Sequence, residues 1–177
     1  MSSPVNVPKL ASALPSSLPA IAVVGYANCG KTTLICKLLT LARQKGWRVA
    51  AVKHSHKKLE LDQPGKDTWR FRQAGAQTVA LACPGGLQVI QTFPADPPLA
   101  AVLASLPRDL DLVLVEGYKH SDLPKLVFAP EPAVEPLNAG GDILAYISAN
   151  PLDADLPVFS RDQAEALFAF LERWRQR

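Results

Sequence analysis

Eight residues constrain this chain more than any others: Gly25-Tyr26-Ala27-Asn28-Cys29-Gly30-Lys31-Thr32. They satisfy the spacing G-x-x-x-x-G-K-[ST] in full. A short β-branched run, Ala20–Val24, precedes them, and residues 31–45 follow with Leu34, Ile35, Leu38, Leu39 and Ala42 at helical spacing. Glycine permits the tight turn in which successive backbone N–H groups face an anion, and the helix behind adds its positive end. Ala27, Asn28, Cys29 and Gly30 are therefore expected to line a phosphate through the main chain. Lys31 should reach the β- and γ-phosphates, Thr32 should hold Mg²⁺, and Thr33 should meet the α-phosphate. Cys29 reads as a small filler whose N–H matters more than its thiol.

An acidic partner for that metal is sought at the end of another buried strand. Residues 112–115 are all apolar, and Glu116-Gly117 follows. Ligands of open α/β sheets gather at the carboxyl ends of strands, which selects Glu116 as the Mg²⁺ carboxylate. Asp111 starts the same strand and should lie at the far edge, as a solvated residue. The Gly117 N–H is the expected sensor of the γ-phosphate.

The rest of the chain repeats the alternation. Residues 48–53, 125–129 and 143–148 read as strands, 67–74 and 99–106 as helices. Residues 78–83 and 87–93 read as a hairpin about Pro84-Gly85-Gly86, which would make the sheet mixed. Asp67 reads as a helix N-cap, and Ser160-x-x-Gln163 as a capping box opening the last helix. The expected fold is α/β, of the P-loop NTPase type, with a mostly parallel (mixed) central sheet and helices on both faces. Residues 1–19, with four prolines, read as a flexible leader, and residues 20–177 as a single domain.

Composition excludes several classes. With 19 Lys+Arg against 16 Asp+Glu, the net charge of +3 is no nucleic-acid signature. The three cysteines, without a CxxC, support neither a zinc ribbon nor a disulfide framework and suit a reducing compartment. No apolar run approaches the ~20 residues of a membrane helix, and no secretory signal is evident, so a cytoplasmic protein is expected. Charge is nevertheless uneven. Residues 43–72 hold nine basic and three acidic residues, whereas residues 128–160 hold five acids and no Lys or Arg. Such asymmetry steers anionic ligands or a partner surface.

Two Lys-His pairs, Lys53-His54 and Lys119-His120, should emerge at the same edge of the sheet. His54-x-His56 lies among Lys53, Lys57 and Lys58, which would repel a divalent cation. The stretch reads either as a site for a second phosphorylated ligand or as a solvated loop. Gly65-Lys66-Asp67 is a candidate segment over the nucleotide, with Asp67 either the cap or a further carboxylate for the metal.

Taken together, GYANCGKTTL, VKHSHKKLELDQPGKDTWRFRQAGA and DLVLVEGYKH with a downstream PKLV resemble the molybdopterin-guanine dinucleotide biosynthesis adaptor protein B family, over roughly residues 20–175. The resemblance implies a GTP-binding homodimer with weak hydrolytic activity, an adaptor more than an enzyme. It would assist the molybdopterin guanylyltransferase that attaches GMP to molybdopterin. It carries over residues 25–33 as the nucleotide loop and Glu116 as the acidic metal-side residue, and marks 53–56, 64–67 and 117–120 as family motifs. GTP rather than ATP rests on this resemblance, because the chain has no Asn-Lys-x-Asp string. Asn150 or Asp153, after the last of these strands, could read the base, or could form a plain turn. Two other activities fit the same loop. A small-molecule kinase would need an acceptor base such as Asp67. A metal-delivery GTPase is disfavoured by the lack of CxxC and of a His-rich tail.

Overall fold

The computed structural model describes residues 18–57, 59–129 and 139–176, so most of the proline-rich leader lies outside the described residues. All elements but the last, two-residue strand were legible in outline; the first are β1 (Ala20–Val24), α1 (Lys31–Gln44), β2 (Val49–Lys53), α2 (Asp67–Gln73), β3 (Thr78–Cys83), β4 (Gly86–Gln91), α3 (Leu99–Ala104) and β5 (Leu112–Glu116). Then come β6 (Lys125–Phe128), β7 (Ile143–Ile147), β8 (Val158–Phe159) and α4 (Ala164–Arg175).

The described residues pack as two compact units. One comprises Met1–His54 with Leu99–Arg177, the other Ser55–Pro98. In the first, six strands form one sheet in the order β2-β5-β1-β6-β7-β8. Every pairing in it is parallel. Alternation along the strands explains the two layers of core. Ile21, Val23, Leu112 and Leu114 point to one face, where α1 and α4 contribute Leu34, Leu38, Leu167 and Leu171. Ala22, Val24, Val113 and Val115 point to the other, under Leu99 and Leu103 of α3. Strands buried on both faces are continuous apolar runs, as a parallel sheet covered by helices demands.

In the second unit β3 and β4 pair antiparallel, Val79 opposite Ile90. They form a two-stranded sheet of their own. The hairpin was therefore read correctly, but it does not make the central sheet mixed. Only Val79 and Ile90 of its strands are buried.

Two expected helix caps differ in detail. The N-cap of α2 is Lys66, and Asp67 is the first helical residue, where its charge favours the helix end without a side-chain cap bond. Ser160 and Gln163 make half a capping box. The Ser160 N–H donates to Gln163 Oε1 at 2.8 Å, while the N-cap of α4 is Gln163 itself, three residues beyond Ser160. Asp111 is not merely solvated. Its carboxylate accepts from the Arg48 N–H at 2.8 Å and from Arg175, tying the start of β2 to the end of α4.

Candidate functional site

β1, β2 and β5 end side by side, and their last residues build the site. Parallel register sets Lys53 opposite Glu116, and Glu116 opposite Val23, one residue before the end of β1. The chain leaves β1 at Gly25 and turns back into α1 through two residues in the left-handed region, Asn28 (φ 60) and Gly30 (φ 94). Gly25 is irreplaceable for a packing reason. A Cβ there would lie 2.6 Å from Phe128 Cβ and 3.0 Å from Cys29 Sγ. Phe128 is buried and cannot withdraw. Gly25→Ala is expected to cost about 1–3 kcal/mol by overpacking, read as a lower midpoint in urea unfolding, and to displace the loop.

Ala27, Asn28, Gly30, Lys31, Thr32 and Thr33 line a cavity of ≈ 450 Å³ together with Lys53 and Glu116. Glu116 is its hub. Thr32 Oγ1 donates to Glu116 Oε2 at 2.7 Å, and Lys53 Nζ donates to Oε1 at 2.7 Å. Burial pushes the Glu116 carboxyl up, but the hydrogen bonds from Lys53 and Thr32 and the charges of Lys53 and Lys31 outweigh it, so its pKa lies below the ordinary value. Lys31 donates to the Tyr26 carbonyl and lies 3.6 Å from Cys29 Sγ. Cys29 also packs against the core, in keeping with a filler. The Thr32 hydroxyl and the Glu116 carboxylate form an adjacent pair of hard oxygen donors, the set that Mg²⁺ takes alongside phosphate oxygens and water.

The remaining candidates divide. His54 continues β2 by donating its N–H to the Glu116 carbonyl at 2.9 Å, and its ring stacks on Tyr118 with centroids 4.1 Å apart. Gly117 has φ 105, and a Cβ on it would fall 2.9 Å from His54 Cβ. Its N–H, expected to meet a γ-phosphate, instead donates to the Val23 carbonyl at 3.3 Å, because the β1–β5 ladder runs one residue further than the strand. Lys119 and His120 are exposed, and the Lys119 carbonyl accepts from Gly140 N–H at 3.0 Å. His56, Lys66 and Asp67 belong to the second unit. There His56 Nδ1 lies 4.0 Å from Asp96 Oδ2, and Asp67 lies 3.9 Å from Arg70. Asn150 and Asp153 are exposed beyond β7, and Asn150 sits in a turn closed by Ser148 Oγ. Two residues had no signal in the sequence. Arg161 approaches Gly30, its Cδ 3.5 Å from where a Cβ would stand, and reaches over Phe128, which itself backs Gly25. Both contacts join segments about a hundred residues or more apart.

The family model described as molybdopterin guanine dinucleotide synthesis protein B matches residues 20–149. The chain belongs to that family. It is 31% identical over 161 residues to the molybdopterin-guanine dinucleotide biosynthesis adapter protein of Haemophilus influenzae, covering 90% of each chain. It is likewise 31% identical to the Escherichia coli adapter protein, over 90% of this chain and 95% of that one. Among solved structures, a crystal structure of molybdopterin-guanine biosynthesis protein B superposes with a TM-score of 0.73 at 27% identity, over 89% of this chain and 99% of the other. A homolog from Bacillus stearothermophilus gives 0.66 at 32% identity, over 89% and 97%. The α/β fold with a parallel central sheet is thus that of the family. Among the described residues, no helix is long and apolar enough to cross a membrane.

Proposed function

We propose that this member of the family is a cytoplasmic, homodimeric adapter of molybdopterin-guanine dinucleotide synthesis that binds GTP with Mg²⁺ over residues 25–33. It would serve the guanylyltransferase that joins GMP to molybdopterin. The observation that carries the reading is the meeting of Thr32 Oγ1 with Glu116 Oε2 at 2.7 Å, in the cavity that also holds Lys31. Eighty-four residues of sequence separate them, yet one strand end and one helix start place both at a single point.

Bound Mg²⁺ supplies charge neutralisation of the β- and γ-phosphates. The chain's own residues do the rest. Lys31 offers a point charge, the N-terminal end of α1 offers unpaired backbone N–H groups, and Glu116 with Thr32 offers the metal's protein oxygens. Weak hydrolysis follows from the cavity lining. Its one lining carboxylate is engaged by Lys53 and Thr32, and the arginine nearest the loop, Arg161, lies against Gly30 and over Phe128 rather than among the lining residues. Water activation therefore lacks a free base in the lining, which fits slow hydrolysis.

Isothermal titration of the full chain with GTP and with ATP, in Mg²⁺ and in EDTA, tests the proposal. GTP in Mg²⁺ should bind tighter than ATP, and Glu116→Gln should lose the part of the affinity that Mg²⁺ confers. Because the Glu116 pKa is lowered, its folded-state contribution is present above the unfolded value of 4.5 and is lost as pH falls through the lower folded value. Binding that shows no dependence on Mg²⁺ or on Glu116 would overturn the reading.

A further inference from the structure

We propose that Lys53 is the residue by which this site distinguishes a nucleoside triphosphate from a diphosphate, through an exchange of partners with the metal. The inference rests on the nucleotide reading above. In the structure both oxygens of Glu116 are taken: Oε1 by Lys53 Nζ and Oε2 by Thr32 Oγ1, each at 2.7 Å. A divalent cation that approached this carboxylate would meet the Lys53 ammonium beside it and would compete with that ammonium for Oε1. The two side chains differ in freedom. That of Glu116 is 13% exposed, that of Lys53 is 62% exposed. Glu116 is therefore fixed, and Lys53 is the partner able to move.

Two ammonium groups line this one cavity, Lys31 from the loop and Lys53 from the end of β2. Each rests on a protein acceptor, Lys31 on the Tyr26 carbonyl and Lys53 on Glu116. When a divalent cation takes Glu116 and Thr32, the Lys53 ammonium loses its counter-charge and is repelled by the newcomer. It remains tethered to β2, with a flexible four-carbon stem. A terminal phosphate in the filled cavity would offer that ammonium a new, charged acceptor. One ion pair, Lys53 with Glu116, is exchanged for two, metal with Glu116 and Lys53 with phosphate. A diphosphate lacks the group that completes the exchange. If instead Lys53 only neutralises Glu116, its removal would ease metal entry alike for both nucleotides.

The test is calorimetry on the full chain with GDP and with the β,γ-imido analogue of GTP, in Mg²⁺ and in EDTA. In Lys53→Met, affinity for the triphosphate analogue in Mg²⁺ should fall about 10- to 100-fold, the worth of a charge-assisted bond, while GDP changes by less than about 3-fold. Lys53→Arg should keep most of the preference. In Lys53→Met the Mg²⁺ concentration needed for half-maximal GDP binding should drop, since no ammonium competes for Glu116. The exposed side chain makes a folding defect unexpected, and a melting curve checks it. Equal losses for both nucleotides, or no loss for either, would overturn the role of Lys53 and leave the nucleotide reading standing. Failure of the unaltered chain to bind either nucleotide would overturn both.

Discussion

Lys31→Ala should lower affinity for GTP in Mg²⁺ by about two to three powers of ten, the equivalent of about 3–4 kcal/mol. The size follows from what the side chain can do in a filled cavity. An ammonium that meets oxygens of two phosphates makes two charge-assisted bonds, each worth about 1.5–3 kcal/mol, less the cost of leaving its resting contacts. Those contacts are weak competitors: a carbonyl of its own loop and a sulfur 3.6 Å away. The fold should not suffer. Lys31 opens α1 and is absent from both core clusters, and alanine has the highest helix propensity. Titration calorimetry beside a thermal melt separates the two effects. Unchanged affinity with an unchanged melt would remove the loop at residues 25–33 from any account of nucleotide binding.

Why Lys31, Thr32 and Glu116 were legible while other contacts were not comes down to the range of the interactions. The loop is a local pattern. Its glycines, lysine and threonine lie within eight residues, and the flanking strand and helix announce themselves by apolar spacing. Glu116 needed one further rule, that strand ends converge on the ligand, and a buried strand of four apolar residues identified itself. The hairpin of β3 and β4 was also local, since Pro84-Gly85-Gly86 marks its turn. Whether it would join the large sheet was not, because a free strand edge carries no address in sequence. β8, with two residues, is too short for any periodicity to show. The pairing of Lys53 with Glu116 depends on β2 and β5 lying in register, and nothing in either strand alone states that register. The use of the Gly117 N–H by Val23 depends likewise on how far the β1–β5 ladder extends.

Lys125 is the clearest case of a residue whose role the sequence concealed, and its replacement carries the second large effect. In the sequence it is only the first residue of the strand expected over 125–129. In the structure it is wholly buried. Its ammonium donates to the Ser121 carbonyl and to the Leu123 carbonyl at 2.8 Å, holding the segment that follows Gly117 against β6. Gly141 makes room, for a Cβ there would stand 2.9 Å from Lys125 Nζ. Burial pushes the Lys125 pKa down, and the charges of Asp122 and Asp142 only partly restore it. Lys125→Met leaves two carbonyls without their donor while relieving a buried charge, for a net loss of about 2–3 kcal/mol in urea unfolding near neutral pH. The pH dependence gives the mechanism. Below the folded pKa both states hold the proton, and the native state bears the cost of the buried charge. Between the folded value and the ordinary 10.5, the unfolded chain binds more protons, so native stability rises with pH. A neutral amine still has two N–H groups for the two carbonyls, so the bonds survive the loss of charge. The stability gap between the natural chain and Lys125→Met should therefore widen as pH rises toward 10.5. A gap that stayed constant or narrowed would mean that the ammonium is not held in a dry site, and a more stable variant would mean that the two carbonyls do not need it.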